Sequence, residues 1–251
     1  MKRATRAPWF TRRTAILLWV AGWCWLAAAI LVPVSLSVTR AASVALIGLL
    51  YAGTLALWWR VRWLRWSVLA VGALFAAFFL LPGREDYDRF ALREEVARSV
   101  ARYEGVRYVW GGENWLGVDC SGLVRRGIVE GLAWQGLATL NPHLLRLSVA
   151  LWWRDLSASE MGRGTVKTIR KVCEAPTLDA LKDKNLHMGD FAVTRDGAHV
   201  LAYVGDHVWM EADPEPSKWK VVRLRLGKDK SSWFQTPVTV LRWRCLELPR
   251  R

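Results

Sequence analysis

The first 83 residues contain no aspartate and no glutamate. Nine lysines or arginines stand there unopposed, whereas the remaining 168 residues carry 27 basic and 22 acidic side chains, so the net charge of +14 divides into +9 and +5. A nucleic-acid-binding protein gathers its positive charge on a folded face. Here most of it lies in short clusters beside apolar runs, and nucleic acid is set aside as a partner. Cysteine and histidine do not recur at zinc-ligand spacing, and no phosphate-binding glycine motif is present. The sequence therefore predicts neither a metal nor a cofactor. Internal repeats and low-complexity segments are absent as well.

Cysteine is scarce. Cys24 sits in an apolar run as a small apolar residue, and three more follow: Cys120, Cys173 and Cys245. In an oxidising compartment Cys173 and Cys245 could pair and leave Cys120 as the free thiol. Two unpaired thiols fit the sequence equally well.

Charge is missing altogether from three runs: Thr14 to Thr39, Ala41 to Trp59 and Trp66 to Gly83. A bilayer-spanning helix takes about 20 mostly apolar residues, so each run is long enough or nearly so. None shows the polar face of a helix packed in a soluble core, and the first exceeds the apolar stretch of a cleavable signal. The sequence thus predicts an anchor over residues 1–83 with spans at about 14–36, 41–59 and 66–82.

Lys2, Arg3, Arg6, Arg12 and Arg13 precede the first run, only Arg40 separates the first from the second, and Arg60, Arg62 and Arg65 separate the second from the third. Basic flanks stay cytoplasmic, so the N-terminus and second loop are expected inside and everything after Gly83 outside. Trp58, Trp59, Trp63 and Trp66 crowd one boundary as interfacial aromatics do. No Asp, Glu, Lys, Arg or His interrupts the runs to mark a transport path.

Residues 84–251 read as one α+β domain. "REDYDRFALREEVARSVARYEG" predicts an amphipathic helix bearing Phe90, Val96, Ala97 and Val100 on its apolar face. After a glycine- and aromatic-rich loop, Asp119 can cap a second helix whose Leu123, Val124, Ile128 and Leu132 share a face. Residues 133–188 are irregular and read as an inserted segment. Its apolar stretch Leu144–Leu156 is too short to span and either packs on the domain or rests on a membrane surface. "GDFAVTRDGAHVLAYVGDHVWMEA" alternates between "RDG" and "GD" turns and predicts three antiparallel strands. "KWKVVRLRL" and "TPVTVLRWRCLEL" add two more. Helices first and strands after make an α+β fold, not a parallel one.

In "GVDCSGLV", Cys120 follows the capping Asp119 and so falls in the first helical turn. There the helix dipole stabilises a thiolate, and backbone N–H groups point at whatever is bonded to sulfur. A nucleophile of this kind needs a base, and the base needs an orienting partner. Of His143, His187, His199 and His207, His199 opens a strand after a tight turn, where its side chain can meet a helix end. Glu211, twelve residues on in the next strand, could accept the other imidazole N–H, or merely cap a strand end at the surface near Lys218 or Lys220.

Together, "RYVWGG…GVDCSGLV" and "GDFAV…AHVLAYVG" resemble the cysteine and histidine blocks of the NlpC/P60 family of papain-like cysteine peptidases, over roughly Asp86 to Ala212. The resemblance implies a helix-start cysteine packed on an antiparallel sheet that carries the histidine, in the non-permuted order. Carried over, the catalytic residues are Cys120, His199 and Glu211. Tyr108 matches the family's substrate-contacting tyrosine. Trp110, Gly111 and Gly112 are expected to line the groove, with Asp119 and Ser121 beside the thiol; Asp119 is a cap rather than an acid, and Ser121 serves through its N–H. The third position is usually His, Asn or Gln in that family, and a glutamate there can still orient the ring.

The implied function is a membrane-anchored cysteine peptidase acting on cell-wall stem peptides, its partners the peptidoglycan peptide and the lipid bilayer. Its expected place is the bacterial inner membrane, multi-pass, with the catalytic domain outside. Two alternatives are a thiol-dependent amidase or acyltransferase on a lipid or small molecule, and a non-catalytic envelope scaffold. The sequence leaves protein partners open.

Overall fold

The computed structural model describes residues 11–181, 184–215, 218–229 and 231–247. The basic Lys2, Arg3 and Arg6 lie outside the described residues. The chain divides into two compact units, one of Met1–Val32 with Leu36–Leu81 and one of Pro33–Ser35 with Pro82–Arg251.

The first unit contains three long helices: α1 (Arg12–Leu31), α2 (Ser37–Leu57) and α3 (Arg62–Leu80). At 1.5 Å per residue each is about 30 Å long, and all three are long and apolar enough to cross a membrane by length and composition. The Trp19 indole N–H joins α1 to α2 by donating to Thr54 Oγ1 at 3.1 Å. Tyr51 joins α2 to α3 by donating to the Val68 carbonyl at 3.0 Å.

The helix ends differ from the uncharged runs. α1 stops at Leu31, two residues before Pro33, which has no N–H to continue a helix. Thr39 Oγ1 then accepts from the Leu36 N–H at 3.0 Å and donates to its carbonyl at 2.7 Å, setting the start of α2. Arg40 consequently lies inside α2 and not in the link between helices. Arg62 and Arg65 likewise belong to the first turns of α3. The Arg65 guanidinium sits over Trp59 and Trp66 at 4.9 and 5.3 Å.

The second unit is an α+β domain. It begins with α4 (Arg89–Ala101), capped by Asp88, whose Oδ1 accepts from the N–H groups of Phe90 and Ala91. A loop and a minimal hairpin, β1 (Glu113–Asn114) with β2 (Gly117–Val118), lead into α5 (Cys120–Ala138). There follow α6 (Pro142–Trp152), α7 (Ala158–Gly162) and β3 (Ile169–Ala175). The remaining strands are β4 (Phe191–Thr194), β5 (Val200–Gly205), β6 (Val208–Asp213), β7 (Lys220–Arg225) and β8 (Val238–Trp243). Strands β3 to β8 form one sheet, ordered β3-β8-β4-β5-β6-β7, with every neighbouring pair antiparallel.

α4 and α5 pack closely because Gly127 and Gly131 of α5 face Val100 and Val96 of α4. The apolar face of α4 is Leu92, Val96 and Val100; Phe90, expected there, is exposed. Leu92 lies four and eight residues before Val96 and Val100 and so shares their face, whereas Phe90, six before Val96, falls off it. The segment read as irregular, 133–188, carries β3, a seven-residue edge strand of the main sheet. Lys171 and Glu174 on its exposed edge hide the alternation that marks a strand.

The central strands are buried on both faces, so β4 and β6 lack the polar alternation of a half-solvated sheet. One face packs on α4 and α5 through Phe191, Val200, Met210 and Leu241. The other buries Leu201, Tyr203, Trp209 and Val240 beneath Phe234 and Leu181. A buried two-point ion pair, Arg242 Nε and Nη2 to the Asp190 oxygens at 2.6 and 2.7 Å, ties β8 to the residue before β4.

Candidate active site

The cysteine at the start of α5 is buried. Asp119, the residue before it, has extended backbone and caps the helix with one carboxylate oxygen: Oδ1 accepts from the Gly122 N–H at 2.5 Å and the Ser121 hydroxyl at 2.9 Å. Its other oxygen accepts from the Gly111 N–H at 2.8 Å. One side chain therefore fixes both the first turn of α5 and the loop before it. Gly111 has φ +69°, the left-handed region that glycine enters without strain. A Cβ on Gly122 would run into the Gly112 carbonyl, so the loop lies directly on the helix.

His199 immediately precedes β5, and Glu211 lies within β6. Ala202 pairs with Met210 across these strands, and continuing that register sets His199 opposite Asp213. Glu211 is then the diagonal neighbour of His199 on the same face, within reach of a long side chain. His199 Nε2 stands 3.4 Å from Glu211 Oε2, with the two side chains 1% and 0% exposed. That is an electrostatic contact longer than an aligned charge-assisted hydrogen bond. Neither atom has another hydrogen-bonding partner among the described residues. Glu211 Oε1 is approached by the Ser231 hydroxyl at 3.3 Å. Buried as it is, Glu211 is no surface strand cap. Lys218 is engaged instead by Asp213, at 2.7 Å.

With Nε2 turned to Glu211, Nδ1 is left for the Cys120 thiol. Burial works against a charged imidazole, but the pull of Cys120, and then of Glu211, outweighs it and raises the His199 pKa to about 9. The other thiols differ. Cys173 and Cys245 are both free and half-buried. Burial raises the pKa of Cys173 and pushes that of Cys245 up to about 12.

Tyr108 is buried, and its phenol is held well above the usual range by burial and by the charges of Cys120 and Asp119. Trp110 is 81% exposed. Gly112, expected to line the groove, is buried, as are Asp119 and Ser121, expected beside the thiol. The Asp119 carboxylate caps α5 and holds the Ser121 hydroxyl, and the Gly112 carbonyl accepts the Asp119 N–H at 3.1 Å. His143 lies in the first turn of α6 against Tyr87, His187 precedes β4, and His207 is exposed in the β5–β6 turn. Among the described residues no three His, Cys, Asp or Glu side chains converge as a metal-binding set.

Comparison with known proteins adds little to this geometry. No protein-family model matches the chain, and no curated protein matches it. Among solved structures it is similar to NlpC2 from Trichomonas vaginalis, with 18% identity and a TM-score of 0.40, over 63% of this chain and 48% of that one. NlpC1 from the same organism is similar at 17% identity and TM-score 0.40, over 64% of this chain and 46% of that one. The chain thus spans about half the length of these two structures.

Sequence reasoning missed two aromatic side chains at the site, one against His199 and one against Tyr108. Trp233 stacks on His199 with ring centroids 4.2 Å apart and planes 16° from parallel. Trp219, exposed and with φ +43°, meets Tyr108 edge-on at 5.8 Å. Both lie in connections around β7, where no local periodicity signals a long-range partner. An ion group beside the site was also missed: Arg125 of α5 stands 3.4 Å from Glu113 of β1 and pairs with Asp155.

Proposed function

We propose that this protein is a cysteine peptidase of NlpC/P60 type, anchored in a membrane by its three apolar helices and acting on peptides of the cell wall. The observation that carries the reading is one chain of contacts: a capped helix-start Cys120, a buried His199 beside it, and a buried Glu211 3.4 Å from the far ring nitrogen.

With its pKa raised to about 9, His199 can hold at neutral pH the proton that Cys120 gives up on becoming the nucleophile. The thiolate attacks the scissile carbonyl carbon. The N–H groups of Cys120 and Ser121, which have no intrahelical acceptor at the start of α5, stabilise the developing oxyanion. His199 gives its proton to the leaving amine, leaving a thioester on Cys120. Water, activated by the now neutral His199, then releases the acid and regenerates the thiol. Glu211 draws Nε2 of the imidazole toward it and balances the charge of the protonated ring.

Localisation rests on the flanking charges, which favour a cytoplasmic N-terminus and an outward catalytic domain. Large exposed side chains along α3, such as Val71, Leu74 and Phe75, suit lipid rather than water. A reporter fused after Gly83 is expected to be active only if exported; the reverse would remove the cell wall as substrate. The catalytic reading is tested by incubating the detergent-solubilised full chain with purified peptidoglycan and identifying products by mass spectrometry. New peptide termini that vanish in Cys120→Ala support it. No cleavage of peptidoglycan or its released peptides by a folded protein would favour a binding scaffold.

A further inference from the structure

The β7–β8 connection touches both partners of the cysteine, a role that nothing in its sequence announces. Its Trp233 covers one face of the His199 ring, and its Ser231 reaches the Glu211 oxygen that does not face His199. The turn is itself well held. The Ser231 hydroxyl accepts from the Trp233 N–H at 3.3 Å, and Phe234 is buried in the second core. A single 3-10 turn, Ser232–Gln235, thus hangs over the base and its acidic partner.

The contact between His199 and Glu211 leaves a geometric gap to fill. At 3.4 Å it attracts without fixing the ring plane, because a directional hydrogen bond needs a closer, aligned approach. A ring pulled from one edge can still rotate about the bond that carries it. Stacking on a flat indole removes that freedom, since tilting the imidazole would break face-to-face contact. The indole face is also electron-rich, so it favours the protonated ring over the neutral one.

Cys120 belongs to the core on the α4–α5 side of the sheet, whereas Trp233 packs with the core on the opposite side. His199, just before β5, interacts with Cys120 of the first core and stacks on Trp233 beside the second. Its ring is approached by the thiol from one core and by the indole from the other.

We propose that Trp233 is a positioning residue of this site: its indole face sets the plane of the His199 imidazole and supports the protonated ring, while Ser231 on the same turn steadies Glu211. The inference rests on the cysteine peptidase reading and deepens it. The charged groups that face His199 are Cys120 from α5, Glu211 from β6 and, more weakly, Asp196 from the β4–β5 turn. None of them is altered by substituting Trp233.

The test is the pH profile of Cys120 alkylation by iodoacetamide in the full-length protein, alongside steady-state peptide hydrolysis. Trp233→Leu keeps the ring covered and removes the π face. It is expected to lower the alkaline limb of the profile by about one pH unit, and to lower kcat about tenfold with KM little changed. Trp233→Phe, with a smaller π face, should fall between wild type and leucine. Ser231→Ala should lower kcat by a few-fold. Any substitution at Trp233 that folds, checked by circular dichroism, decides the matter. An alkaline limb at the wild-type position, with only the melting temperature reduced, would reduce Trp233 to a packing residue and overturn the proposal. His199→Ala separates the two levels: if it leaves wild-type alkylation of Cys120 unchanged, the peptidase reading itself fails, whatever Trp233 does.

Discussion

Glu211 lies diagonally across the β5–β6 hairpin from His199, its Oε2 3.4 Å from Nε2 and its carboxylate sealed from solvent. Among the described residues, the side chains in direct contact with that carboxylate are His199 and Ser231. Glu211→Gln keeps a hydrogen-bond acceptor and should lower kcat about tenfold, a loss of about 1.4 kcal/mol in transition-state stabilisation. Glu211→Ala should cost more, and His199→Ala should abolish nearly all turnover. Steady-state kinetics on the three variants will check this ordering; wild-type rates in Glu211→Ala would leave a Cys120–His199 dyad.

The three thiols of the second unit should separate cleanly by reactivity. Burial raises the pKa of Cys173 and pushes that of Cys245 to about 12, so neither forms a thiolate near neutral pH. Cys120, next to a protonated imidazole at a helix start, should take up iodoacetamide at least tenfold faster. Peptide mapping after a brief exposure at pH 7 reads the result. Equal labelling of Cys245 would contradict the assignment.

The raised His199 pKa has a signed effect on stability. A group whose folded pKa lies above its ordinary value contributes stability that is fully present below the ordinary value and is lost as pH rises through the folded one. For His199 that window runs from 6.5 to about 9. The difference in Tm between wild type and His199→Gln should therefore shrink as pH is raised across it. Thermal melts at pH 6, 7.5 and 9.5 test this, and a difference that widens with pH would reverse the sign.

Gly122→Ala should disturb the site without touching any group that reacts. Its methyl would press on the Gly112 carbonyl, which also accepts the Asp119 N–H at 3.1 Å. The collision is with backbone, which cannot swing aside, so a loss of about 1–3 kcal/mol is expected. Asp119→Ala should cost about 1 kcal/mol through the lost cap, and more because the Gly111 loop is released. Denaturant unfolding measures both.

Asp190 and Arg242 are both buried, so removing either partner alone strands a charge. Arg242→Leu should destabilise by about 3–5 kcal/mol, while the double replacement with Asp190→Leu should recover most of the loss. A double-mutant cycle by chemical denaturation measures the coupling. Additive single losses would mean that the pair contributes no more than its packing.

Much of this architecture is written locally. An aspartate before "CSGLVRRG" announces the start of α5, because capping is satisfied by residues two or three positions apart. The "RDG" and "GD" turns mark the β4–β5–β6 meander in the same way. Three charge-free runs announce three long helices, although Pro33 and Thr39 move the boundary so that Arg40 falls inside α2. β3 escaped notice because its exposed edge carries Lys171 and Glu174 in place of a clean alternation.

The sequence by itself determined the candidates: a thiol at a helix start, a histidine after a tight turn, and a glutamate one hairpin away. Each follows from interactions spanning a dozen residues or fewer, which leave periodic or turn-forming signatures in the chain. Only the tertiary structure decided that Glu211 is buried and not a surface cap, that Asp119 holds the Gly111 loop, and that Trp233 stacks on a ring 34 positions earlier. Such contacts are set by which strands neighbour each other and how the two cores pack on the sheet. Side-chain chemistry favours them once the fold has formed, but no local pattern encodes them beforehand.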